Sequence, residues 1–180
     1  EQGYAQAQFS LGVRYFNGEG VAKDQKEAVK WYTRAAEQGH AWAQYNLGVC
    51  YTDGLGVGKD QKEAVMWYTR AAEQGNSGAQ FNLGVCYAFG KGVAKDQKEA
   101  VKWYTRAAEQ GVAGAQKNLG VSYAIGDGVA KNMVQAYMWF NLAAVEDQKA
   151  AELRELAAQE MTPAQIAEAQ RLSAAFVPRK

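Results

Sequence analysis

The sequence is poor in the residues from which most active sites are built. Its 180 residues include one histidine, His40, and two cysteines, Cys50 and Cys86, too few soft ligands for a four-coordinate structural zinc site. No stretch carries five or six like charges, and 20 Lys and Arg nearly balance 19 Asp and Glu. The chain therefore lacks the basic stripe that neutralises a row of phosphates, which excludes nucleic acid as a partner. Its longest apolar runs fall far short of the roughly 20 residues that span a bilayer, and none has the form of a signal-peptide centre. Ser10, Ser77, Ser122 and Ser173 all lack a lysine three residues on, and S-D-N and K-T-G are absent, so the serine-acylase signatures are missing. Acids spaced like Glu152 and Glu155 are ordinary on a solvated helix face, and His40 reads as a solvated linker residue. The expectation is a chain without catalytic residues, metal or cofactor.

What the sequence does contain is repetition. KDQKEAVKWYTRAAEQG begins at Lys23, returns with one substitution at Lys59 and returns unchanged at Lys95. Trp31, Trp67, Trp103 and Trp139 are 36 residues apart, as are Leu11, Leu47, Leu83 and Leu119, which is the mark of a repeat architecture. Within a unit the apolar spacing is helical. Ala7, Leu11 and Tyr15 predict one face of a first helix, and Ala28, Trp31, Tyr32 and Ala35 one face of a second. Asn17-Gly18-Glu19-Gly20 breaks the first helix. Asp24 is placed to cap the second, with Glu27 completing a capping-box pattern, and Gly39 ends it. Glu1-Gln2-Gly3 matches Glu37-Gln38-Gly39, so the chain is expected to start inside a longer array or after a processed leader. Four units of 36 residues occupy residues 1–146.

From Asp147 the period fails. Residues 147–180 contain neither Trp nor Gly and restart with Thr162-Pro163-Ala164-Gln165, where Thr caps, Pro takes the first helical position and Gln closes a capping box. Ile166, Ala169, Leu172 and Phe176 form one apolar stripe. This segment is expected to be a pair of capping helices covering the end of the array. Cys50 and Cys86 hold equivalent positions in neighbouring units, where stacked helices lie about 8–10 Å apart. That exceeds the Cα separation of about 7 Å that a disulfide tolerates, so two free thiols are expected.

Leu11-Gly12 with Tyr15, then Ala28, Tyr32 and Ala35, resemble the tetratricopeptide skeleton. The long linker NGEGVAKD and the absence of a closing proline move the chain toward the Sel1-like repeats, whose units read A-x-x-x-L-G-x-x-Y, G-x-G-V-x-x-D and A-x-x-W-[YF]-x-x-A-A-x-x-G. The segment MTPAQIAEAQRL also resembles the end of bacterial members. This resemblance implies a right-handed all-α solenoid acting as a scaffold or adaptor. Another protein or a peptide is the expected partner, and a soluble monomer in the bacterial cytoplasm or periplasm is the expectation for the chain itself. The cysteine-rich secreted members place two Cys in each unit, and this chain does not. The alternatives are a small-molecule-binding or β-lactamase-like hydrolytic protein, and a structural spacer in a larger assembly.

Repeating Leu, Gly, Tyr, Trp and Ala residues need explain only packing. Positions on the first helices, which the resemblance places on the concave side, are the candidates for binding: Trp42; Tyr45, Phe81 and Lys117; Val49 and Val85. Asn46, Asn82 and Asn118 form a polar column, with Ser10 in the first unit. An amide both donates and accepts hydrogen bonds, so the column suits either a grip on peptide main chain or bonds between neighbouring helices.

Overall fold

The structure, a computed structural model, describes residues 2–179. Glu1 lies outside the described residues, and so does its part in the first EQG. Ten helices run in order among the described residues: α1 Gln2–Asn17, α2 Gln25–Glu37, α3 Ala41–Asp53, α4 Gln61–Glu73, α5 Ser77–Phe89, α6 Gln97–Glu109, α7 Ala113–Ile125, α8 Met133–Ala143, α9 Gln148–Gln159 and α10 Pro163–Ala174. The fold is all-α, with helix-turn-helix repeats in stacked packing. It divides into two compact units, Glu1–Lys95 with α1 to α5 and Asp96–Lys180 with α6 to α10.

In the first unit α1 pairs with α2 and α3 with α4, and α3 also packs on α2. Ala35, Ala36, Ala43, Leu47 and Trp67 form one buried cluster across these pairs. Small residues let the helices close on one another. A Cβ on Gly48 would fall 2.6 Å from the ring of Tyr68, so the glycine leaves space for the aromatic ring of the next helix. In the loop after α3, Gly56 has φ +72° and an added Cβ would lie 2.1 Å from the carbonyl oxygen of Gln25. The G-x-G linker therefore lies directly on the start of α2, a packing that only glycine permits.

The expected face of α1 is displaced. Ala7 is exposed, whereas Ala5, Gln8 and Gly12 are buried. The equivalents of Ala7, namely Ala43, Ala79 and Ala115, are fully buried, and in the case of Ala43 the covering surface is the preceding helix pair. No such pair precedes α1 among the described residues.

The caps follow the sequence with one difference. Asp24, Asp60 and Asp96 each accept from two backbone N–H groups of the helix they open. The box at Asp24 is only half made, because its N–H donates to the Tyr15 carbonyl and Glu27 pairs with Lys30. At Thr162 both halves of the box form, with Pro163 in the first turn.

In the second unit α8 packs against α7, α9 and α10. Trp139 meets Phe176 edge to face at 5.6 Å. Of the stripe expected on α10, Ala169 is fully buried, while Ile166 and Leu172 are half-buried.

Candidate functional site

The buried polar groups explain how the repeats register. Gln44, Gln80 and Gln116 on the first helices are buried and donate to the carbonyls of Ala36, Ala72 and Ala108 near the end of the preceding helix. Gln38 and Gln74 in turn donate to Gln8 and Gln44 at 2.6 and 2.7 Å. This glutamine column is a structural ladder that the sequence reading missed. Its signal was present, since Gln recurs at the same place in all four units, three residues before Leu. Polarity at an otherwise apolar helical position implies a fixed hydrogen-bond partner.

The asparagine column lies elsewhere. Asn46 and Asn82 are half-buried and stand beside the hydroxyls of Tyr32 and Tyr68 respectively. Thr52 also bonds the Tyr68 hydroxyl at 3.0 Å. Burial pushes both phenols up to about 12, so they stay neutral. In the last repeat Phe140 removes the hydroxyl, and the residue 14 positions later is Arg154 instead of Asn. Its guanidinium bonds Asn141 and Glu155. Tyrosine and asparagine thus disappear together. Ser10 donates locally to the Gln6 carbonyl.

Between α1 and α3 a cleft of about 350 Å³ opens over the Tyr32 ring. Val13, Phe16 and Asn17 line one side, and Tyr45, Asn46, Val49 and Cys50 the other. Three of the expected site residues, Tyr45, Asn46 and Val49, are therefore brought together, and Phe16, Asn17 and Cys50 join them. Trp42 stands beside the cleft, 57% exposed and edge-on to Tyr45 at 6.0 Å. Tyr45 is steadied from α5, where Gly78 leaves room for its ring. Phe81, Asn82 and Val85 lie half-buried on α5. Cys50 and Cys86 are free and buried, and burial pushes the Cys50 thiol up to about 11, far from a reactive thiolate.

In the second unit Asn118 is half-buried. Lys117 is held by Asp147, the cap of α9. The equivalent cleft of this unit, about 150 Å³, is lined by Val121, Ile125, Met133, Phe140, Leu153 and Leu156, among others.

His40 is not a solvated linker. Its Nδ1 accepts from the Ala43 N–H and so caps α3, its Nε2 meets Gln6 Oε1 at 2.9 Å, and its ring stacks on Phe9 at 4.6 Å. Among the described residues no cluster of three His, Cys, Asp or Glu could hold a metal ion, and no helix is long and apolar enough to cross a membrane.

The family described as Sel1 repeat matches residues 5–40, 43–76, 77–112 and 113–144. Among solved structures, the chain is similar to a protective antigen present in uropathogenic Escherichia coli strains and displaying an SLR fold. The two are 43% identical with TM-score 0.87, and the match covers 98% of this chain but 38% of the antigen. It is also similar to a Sel1 repeat protein from Oxalobacter formigenes, at 36% identity and TM-score 0.80, covering 94% of this chain and 72% of that one. No curated protein matches it.

Proposed function

The chain belongs to the Sel1 repeat family, and from that premise we propose that it is a non-catalytic binding module holding an extended segment of a partner protein. The cleft between α1 and α3 carries this reading. It is concave, already formed and lined by Tyr45, Asn46 and Val49, with the exposed Trp42 at its side. Its volume is near the lower end of the roughly 300–1,000 Å³ of ligand sites. Asn46 has two N–H donors and two acceptor lone pairs, and it stands beside the Tyr32 hydroxyl with capacity for further partners.

Affinity capture from the native cell tests this, comparing the natural chain with a Trp42→Ala, Tyr45→Ala double variant. Partners should be lost from the variant, since truncating an aromatic anchor typically costs ~2 kcal/mol or more of binding, while its melting temperature stays close to the natural one. Equal capture by both proteins refutes the reading.

A second role for the asparagines is favoured by the Tyr32 and Tyr68 hydroxyls beside Asn46 and Asn82. Replacing Asn46, Asn82 and Asn118 together by Ala separates the two roles. Weakened binding with little change in melting indicates a grip on the partner, and normal binding with early melting assigns the column to packing.

A further inference from the structure

TRAAEQG stands at residues 33–39, 69–75 and 105–111, across the ends of α2, α4 and α6. The backbone closes alike in each. The Gly39, Gly75 and Gly111 N–H groups donate to the carbonyls of Ala36, Ala72 and Ala108, and the three glycines have φ of +87°, +90° and +88°. Only the end of α6 is occupied among the described residues. The segment after α10 returns to it: the Arg179 backbone N–H donates to the Glu109 carbonyl at 2.8 Å, the Arg179 guanidinium donates to the Glu109 carboxylate at 2.8 Å, and Pro178 lies within van der Waals reach of Gly111. At α2 and α4 the same groups are open. Nothing lies within 4 Å of an added Cβ on Gly39 or Gly75, and the exposed Glu37 and Glu73 make no ion pair among the described residues.

We propose that the ends of α2 and α4 are docking points for a segment of a partner protein that carries proline followed by arginine, held there as Pro178 and Arg179 are held on α6. One arginine meets two acceptors at once. Its guanidinium pairs with the glutamate, and its N–H satisfies a carbonyl that the last turn of a helix leaves without a partner. The proline before it has no N–H to strand against the glycine, and its fixed φ sets the direction of the chain beforehand. Like charge does not distinguish the three ends. Arg106 precedes Glu109 by one turn without displacing Arg179, and Arg34 and Arg70 hold the same places before Glu37 and Glu73. The residue after each glycine differs, but His40 and Asn76 are turned into their own helices as caps. Phe176 also meets Trp139, whereas Trp67, its equivalent on the helix after α2, already carries Arg70 over its ring. The part of the contact that can recur is therefore Pro-Arg. Arg179 remains 75% exposed on Glu109, so each point is weak and sensitive to salt. The proposal is independent of the cleft between α1 and α3.

Titrating an acetylated and amidated peptide of residues 174–179, AAFVPR, into the isotope-labelled full chain at low salt, followed by NMR, tests this. The Gly39 and Gly75 amide signals should move with added peptide, while Gly111, covered by its own segment, stays in place. Glu37→Gln should weaken the Gly39 response about two- to fivefold and spare that of Gly75, and Glu73→Gln should do the reverse. Both are surface changes that leave the fold intact. Citrulline in place of the peptide's arginine, or high salt, should weaken both responses. Stationary Gly39 and Gly75 signals overturn the proposal, and so do shifts that persist in both variants and with the citrulline peptide. Sedimentation of the natural chain and of Arg179→Ala addresses a second copy as the occupant. The two should behave alike, and concentration-dependent dimers that vanish in Arg179→Ala would replace the separate partner with a second copy of this chain and overturn the proposal.

Discussion

At the residue scale, the roles of glycine divide by what a Cβ would meet. Gly48 faces the Tyr68 ring at 2.6 Å, whereas nothing lies within 4 Å of an added Cβ on Gly58, whose φ is not in the left-handed region. Gly48→Ala should therefore destabilise by about 1–3 kcal/mol through overpacking. Gly58→Ala, which copies Ala22, Ala94 and Ala130 of the other linkers, should stabilise by about 0.4–1 kcal/mol through the unfolded state. Urea melts of the two variants check both signs. His40 supplies a pH test. Desolvation lowers its pKa below the ordinary 6.5, and the neutral ring is the form that accepts the Ala43 N–H at Nδ1. Its contribution is complete above the unfolded-state value and is lost as pH falls through the lower folded value. The urea midpoint should fall on acidification below about 6.5, and His40→Asn, which borrows the cap that Asn76 provides for α5, should flatten that dependence. An unchanged slope in the variant would assign the acid sensitivity to other groups.

At the element scale, much was legible because each helix announces its own ends. The aspartates before α2, α4 and α6 and Thr162 before α10 accept backbone N–H groups as their spacing predicts. The caps of α3, α5 and α7 were not legible, because His40, Asn76 and Val112 share a position but not a chemistry. Only the backbone shows that they share one role: all three are extended, with φ between −63° and −70° and ψ near 106–111°. Val112 makes no side-chain cap bond. Val112→Asn should consequently stabilise the chain by ~1 kcal/mol, the usual worth of an N-cap, measurable as a higher urea midpoint at unchanged m-value. The candidate site was half legible for a related reason. The resemblance singled out first-helix positions such as Tyr45, Asn46 and Val49 on α3, but Phe16, Asn17 and the floor provided by Tyr32 belong to other helices. A one-dimensional period carries no information on which neighbours close a cleft.

At the scale of the whole molecule, an array of helix pairs gains its stability from neighbouring contacts, so its ends set its solubility. The second unit ends on α9 and α10, and α8 packs on both. Trp139 and Phe140 are 7% and 2% exposed, and Phe176 and the buried Ala169 belong to the segment covering α8. Part of that segment's hold is polar: Asn141 donates to Ser173 at 2.8 Å and accepts from Arg154 at 3.0 Å. Arg179 also returns to Glu109, through both its backbone N–H and its guanidinium. Removing residues 147–180 strips all of these contacts at once and frees Lys117 from Asp147. An apolar surface laid open in this way seeks a substitute, and another truncated chain offers the same surface. The truncated protein should therefore melt at a lower temperature and sediment as a concentration-dependent mixture with dimers or larger species. Restoring Asp147 to Gln159 alone should recover the Lys117 pair and the Arg154 bond but leave Trp139 without Phe176, giving partial self-association. A truncated chain with the association state and melting of the natural protein would show that the last two helices are not the cap of the array.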